Sequence, residues 1–209
     1  MTIDQAIWNE DDIVGLIGKA LAARAREYDL ENATRGIDCL TEAALQDCIC
    51  LALNSQNLVA RKEARYPEAR SIELLNHGQR CDLLLFRDEE NVRSFPGENS
   101  VKVGYWLEIK RIAQFLESGP NWYYERYLLE TLTEDVFKLA NDREIFYAGL
   151  LVILFASNAL TGNRDLNTWK CHALDHGCPV GMPRIHDFAI TNRLGNSHVL
   201  VALFPMRRL

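Results

Sequence analysis

The chain has 209 residues, 48% of them hydrophobic and 25% charged, enough for one domain whose core needs neither metal nor disulfide staples, and too apolar for long disorder. Its formal charge of −6 argues against sequence-blind binding to nucleic acid, which asks for a basic surface, and leaves room for a local basic groove. The start of the chain is acidic, the longest apolar run, Ala148 to Ala156, is too short to cross a bilayer, and the six cysteines lie inside apolar patterns. These features predict a cytoplasmic protein with reduced thiols, no export signal and no membrane contact.

In chain order, residues 11–28 place Ile13, Leu16, Ile17, Ala20 and Leu21 on one helical stripe, and a second helix starts at Thr41, a good N-cap, with Leu45, Cys48 and Ile49 on its apolar face. Leu58 to Tyr66 reads as a strand ended by Pro67, Arg80 to Phe86 as a compact apolar strand, and Val101 to Lys110 as a third, set off by Pro96-Gly97. Turn-rich connections predict an antiparallel meander for these three. A helix over 122–142, a strand from Tyr147 to Ala156 buried on both faces, a helix over 163–176 and a strand from Val199 to Phe204 complete the order α-α-β-β-β-α-β-α-β. No linker or repeat divides the chain, so the reading is a single domain, residues 1–209, of the α/β class: a mixed sheet with helices on both faces.

Two strands carry charge where a core strand should not. In Tyr105-Trp106-Leu107-Glu108-Ile109-Lys110, alternation puts Trp106, Glu108 and Lys110 on one face. If this strand pairs with its predecessor, Asp82 lies near Glu108. Two close carboxylates repel unless a cation sits between them, and oxygen ligands suit Mg²⁺ or Mn²⁺. Such an ion can polarise a phosphoryl oxygen and lower the pKa of a bound water, with Lys110 adding positive charge. The competing explanation is a same-face ion pair of Glu108 with Lys110 and a turn role for Asp82; the cost of charge in such apolar strands favours the site.

Cys81-Asp82-Leu83-Leu84-Leu85-Phe86 followed by Trp106-Leu107-Glu108-Ile109-Lys110 resembles the PD-(D/E)XK motif of the restriction-endonuclease-like nucleases. The α-β-β-β-α-β order over residues 41–156 is similar to the core of that superfamily, leaving residues 1–40 as a helical extension and 157–209 as a further helix and strand. The resemblance implies Mg²⁺- or Mn²⁺-dependent hydrolysis of DNA phosphodiesters, with Asp82 and Glu108 as metal ligands, Lys110 as the catalytic lysine and Glu42 as an added acid from the preceding helix. Cys81 stands where the motif has proline. Glu42 has a second explanation, since a carboxylate in a first helical turn favours the helix dipole, and Glu63 reads as an acid paired with its basic neighbours.

Arg61, Lys62, Arg65, Arg80 and Arg111 surround these strands and are candidates for phosphate contact. Trp122, Tyr123 and Tyr124 can stack on bases, though an aromatic cluster entering a helix reads first as core. His172 and His176 fall one helical turn apart between Cys171 and Cys178, a spacing that matches no strong zinc signature. The function expected is therefore a DNA nuclease of repair, recombination, restriction or defence. Residues 1–47 hold ten acidic and four basic groups, which leaves the rest neutral and compatible with a basic groove; the overall charge still argues against indiscriminate duplex binding, so a structured or guided substrate fits better, and a homodimer or a partner protein is compatible. The alternative is a catalytically idle nuclease fold serving as an assembly or regulatory subunit. A small-molecule phosphohydrolase, lacking a glycine-rich phosphate loop, ranks below both.

Overall fold

A computed structural model describes residues 8–56, 58–67, 80–87, 93 and 102–207. Helix α1 (Glu10–Leu30) is capped by Asn9, whose side chain accepts from the Asp11 amide, and opens with three acids that favour the positive end of the helix dipole. Ile13, Ile17 and Leu21 line its buried stripe. Helix α2 (Glu42–Asn54) begins as its sequence predicts, with Thr41 Oγ1 accepting from the Ala44 amide at 3.2 Å.

Among the described residues six strands form the main sheet: β1 (Val59–Arg65), β2 (Arg80–Phe86), β3 (Tyr105–Ala113), β6 (Tyr147–Ala156), β7 (Arg184–Ala189) and β8 (His198–Pro205). They lie side by side in the order β1-β2-β3-β6-β8-β7. The first three are an antiparallel meander, β3 and β6 run parallel, and the remaining pairs are antiparallel. A two-residue ladder, β4 (Phe115–Leu116) with β5 (Gly119–Pro120), follows β3. A helical turn (Tyr124–Arg126) and a π-helical turn (Tyr127–Thr131) lead into α3 (Leu132–Asn141), and α4 (Ala159–Asp175) lies between β6 and β7.

Helices α1 and α2 close one face of the sheet over Leu83, Leu85, Tyr105, Leu107, Ile109, Leu151, Ile153 and Leu203. The face under α3 and α4 carries two separate apolar clusters. One gathers Ile112, Leu132, Val136, Leu150, Trp169 and Phe204; the other gathers Tyr66, Cys81, Leu84, Phe86, Trp106, Leu139 and Ile145. At Gly18 of α1 the His186 ring comes so close that a Cβ would stand 2.2 Å from it, so the glycine lets the helix cross β7.

Several elements differ from the expected ones, and the short β4 and β5 pair is not among those expected. β7 has no counterpart in the expected order, because Arg-Ile-His-Asp-Phe-Ala is a polar edge strand with little apolar signal. The third strand starts at Tyr105 rather than Val101, since residues 102–103 are helical. α4 starts at Ala159 rather than 163 because Asn158 caps it, accepting from the Thr161 amide at 2.8 Å. The Pro96-Gly97 connection lies outside the described residues. Among the described residues no helix is long and apolar enough to cross a membrane.

β1 contains one residue in the left-handed region, Glu63, with φ of 54°. It is the position opposite Asp82, and the ladder skips it. Ala60 packs under the α1 and α2 face while Ala64 packs on the opposite face, although residues four apart in a strand normally share one. In β2 the same reversal separates Cys81 from Leu83.

Candidate active site

The ladder between β2 and β3 ends at Leu83 and Leu107. One step further, the register sets Asp82 opposite Glu108, and there the strands part. The β3 amides of Ile109 and Arg111 point to the same side of the strand, and each finds a carboxylate in place of a backbone carbonyl. Ile109 N–H donates to Asp82 Oδ2 at 2.7 Å, and Arg111 N–H donates to Glu42 Oε2 at 2.9 Å. Gln46, one helical turn after Glu42, donates its side-chain amide to the Asp82 carbonyl at 2.8 Å and, at 3.5 Å, to Asp82 Oδ1.

Glu108 is 4% exposed. Burial, then the charge of Asp82 beside it, pushes its carboxyl up to about 8, against a hydrogen bond from Tyr66 that favours the charged form. Tyr66 donates its phenol to Glu108 Oε1 and stacks on Trp106 with ring centroids 5.9 Å apart. Burial next to Cys81 and Glu108 holds that phenol far above its ordinary range, so it stays a donor.

Lys110 lies between two helices. Its Nζ is 3.4 Å from Glu42 Oε1 on α2 and 3.3 Å from Asp135 Oδ2 on α3. Burial works against its charge, but Asp135, Glu42, Asp82 and Glu108 outweigh it and hold the ammonium above the usual range. Lys110 is thus held as a positive charge with hydrogen bonds to donate.

The structure therefore brings Asp82, Glu108, Lys110 and Glu42 together at the middle of β3, where β2 leaves it. It adds Gln46, Tyr66 and Asp135, which the sequence does not single out. Gln46 has a signal, its spacing of four from Glu42 on a helix; Asp135 reads locally as a surface charge.

The basic candidates divide. Arg65 and Arg80 are exposed and directly opposite each other across β1 and β2. Lys62 is tied to Asp47 of α2, and Arg61 is half-buried in β1. Arg111 turns inward: its Nη2 donates to the Asp38 carbonyl and its guanidinium lies over the Phe155 ring at 5.5 Å. It is a tie within the fold, which the alternation of β3 indicates, since Arg111 shares the face of Ile109 and not of Lys110. Glu63 is exposed. Trp122 and Tyr123 are 88% and 64% exposed and are not core, while Tyr124 packs against the apolar cluster of Leu128 and Leu132 and is held by a 2.8 Å bond to Asp165.

Among the described residues no group of three or more His, Cys, Asp or Glu side chains is placed to hold a metal ion, and this includes the Cys171, His172, His176 and Cys178 stretch. The described cysteines are all free. The Asp82 and Glu108 pair is a smaller donor set. Two hard carboxylates under mutual repulsion fit Mg²⁺ or Mn²⁺, ions that are held by one or two carboxylates and keep several waters. No protein-family model matches the chain, and neither does any curated protein or solved structure.

Proposed function

We propose that the protein is a Mg²⁺- or Mn²⁺-dependent nuclease that hydrolyses DNA phosphodiester bonds on a restriction-endonuclease-like core. The observation that carries the reading is the buried Glu108 carboxyl beside Asp82, at the point where β2 and β3 separate, with the Lys110 ammonium two residues along the same strand face. The run α2-β1-β2-β3-α3-β6, a meander followed by a strand parallel to β3, supports the fold assignment.

Asp82 and Glu108 would hold the ion, which when bound polarises the phosphoryl oxygen and acidifies a water. Lys110 donates to the attacking water or to the charge that develops on phosphorus-bound oxygen. The acids around it favour its charged form, so it is placed to donate and not to take the water's proton. Glu42, close to the same Nζ and 41% exposed, fits the role of acceptor. Arg65 and Arg80 set two like charges opposite each other, an arrangement unfavourable by itself and relieved by a phosphate.

The experiment is cleavage of plasmid, branched and single-stranded DNA by purified protein with Mg²⁺ or Mn²⁺. Cleavage is expected, and Asp82→Ala and Lys110→Ala each abolish it; cleavage that persists in both variants overturns the assignment. A second reading, an idle fold serving as an assembly or regulatory subunit, is favoured by one observation: Asp82 and Glu42 are each bonded to a β3 amide, a purely structural use of a carboxylate. Calorimetry with Mn²⁺ separates the two, because an idle site shows no binding that depends on Asp82 and Glu108.

A further inference from the structure

On the face covered by α3 and α4, β3 presents Trp106, Glu108, Lys110 and Ile112 in turn. Trp106 belongs to the apolar cluster that includes Leu139 of α3, and Ile112 to the cluster that includes Leu132 and Val136 of α3. Glu108 and Lys110 fall between, so the gap between the two clusters is a polar seam. Over that seam α3 places Asp135, which is 2% exposed. Its Oδ1 accepts from Lys138 Nζ, while its Oδ2, 3.3 Å from Lys110 Nζ, makes no hydrogen bond among the described residues. A carboxylate is seldom buried unless it is paired, and here the inward partner is the lysine of the candidate site.

The two acids that flank Lys110 differ in kind. Glu42 is 41% exposed and also bonded to the Arg111 amide, so solvent or substrate can compete for it. Asp135 is sealed under α3. We propose that Asp135 is a positioning residue: it fixes the Lys110 ammonium at the end of the seam, so that the contact with Glu42 can be exchanged for a phosphate without the lysine losing its direction. This inference rests on the nuclease reading.

The test is Asp135→Asn, close to isosteric, measured in steady-state DNA cleavage with Mn²⁺ beside calorimetric Mn²⁺ titration. A 10- to 100-fold fall in kcat is expected, with KM within about twofold of wild type. Mn²⁺ affinity and stoichiometry stay unchanged, the stoichiometry showing that the folded fraction is intact. Lys138→Met, which removes only the outer partner, is expected to keep kcat within threefold. If Asp135→Asn does not fold, Asp135→Glu keeps the charge but moves it by one methylene, and a several-fold loss of kcat at unchanged KM is expected. Wild-type kcat in the Asp135 variant, an equal loss in Lys138→Met, or a parallel loss of Mn²⁺ affinity overturns the role of Asp135 alone. A wild type that cleaves no DNA overturns the nuclease reading and this role with it.

Discussion

Replacing Asp82 by Asn separates the two causes that hold a proton on Glu108. The amide keeps an oxygen to accept from the Ile109 N–H, now 2.7 Å from Asp82 Oδ2, and removes the charge facing Glu108. The shift of Glu108 from 4.5 to about 8 means that ionising it costs the folded, metal-free chain on the order of 5 kcal/mol. Burial is the larger share, so removing the Asp82 charge should recover on the order of 1–2 kcal/mol. The sign follows from linkage: between 4.5 and about 8 the folded chain holds a proton that the unfolded chain has lost, so this group's contribution to stability falls as pH rises through that window. The assay is urea denaturation in chelator at pH 5 and pH 8.5 for both proteins, taking the difference between them so that histidines common to both cancel. At pH 5 the variant should be slightly less stable, by about 0.5–1 kcal/mol, because a charge-assisted bond has become a neutral one. At pH 8.5 it should be the more stable protein. A difference that is the same at both pH values refutes the reasoning.

Other parts of the molecule give three further expected outcomes. The double variant Arg65→Ala, Arg80→Ala should weaken DNA binding and lower the slope of log affinity against log salt by about 2, read by fluorescence anisotropy across a salt series; an unchanged slope removes this pair from the substrate path. Gly15→Ala in α1, where an added Cβ meets nothing within 4 Å, should stabilise by about 0.5–1 kcal/mol, whereas Gly149→Ala in β6, where it meets Leu203 Cδ1 and Tyr105 Oη at 2.7 Å, should destabilise by about 1–3 kcal/mol in thermal denaturation.

What can be read from the sequence depends on how local the cause is. The bounds of β2 and β6 are the predicted ones because each strand is built on an uninterrupted apolar run, Leu83 to Phe86 in β2 and Ala148 to Ala156 in β6. The start of α2 is also the predicted one, because a Thr N-cap acts within a single turn. The juxtaposition of Asp82 and Glu108 needs only alternation and a hairpin-like pairing, both short-range regularities. Asp135 is hidden because Leu-Thr-Glu-Asp-Val-Phe-Lys looks like an amphipathic helix with Asp135 at its wet margin; its burial comes from the packing of α3 on the sheet, which brings it to Lys110, 25 residues earlier. The exposure of Trp122 and Tyr123 is equally invisible, since it depends on the helix beginning only at Tyr124.

The left-handed turn of Glu63 has a consequence at the rim of the sheet. Among the described residues β1 is an edge strand, and a flat edge with free amides and carbonyls is a template on which a second chain can add a strand. At Glu63 the strand changes which face it presents, so no partner strand can follow its hydrogen-bonding groups in register along the whole length, and Lys62 and Arg65 on either side repel an approaching basic edge. The same distortion that stands opposite Asp82 therefore protects the protein against open-ended stacking, and a glycine or asparagine there would keep that protection where a β-branched residue, driven back to extended geometry, would remove it.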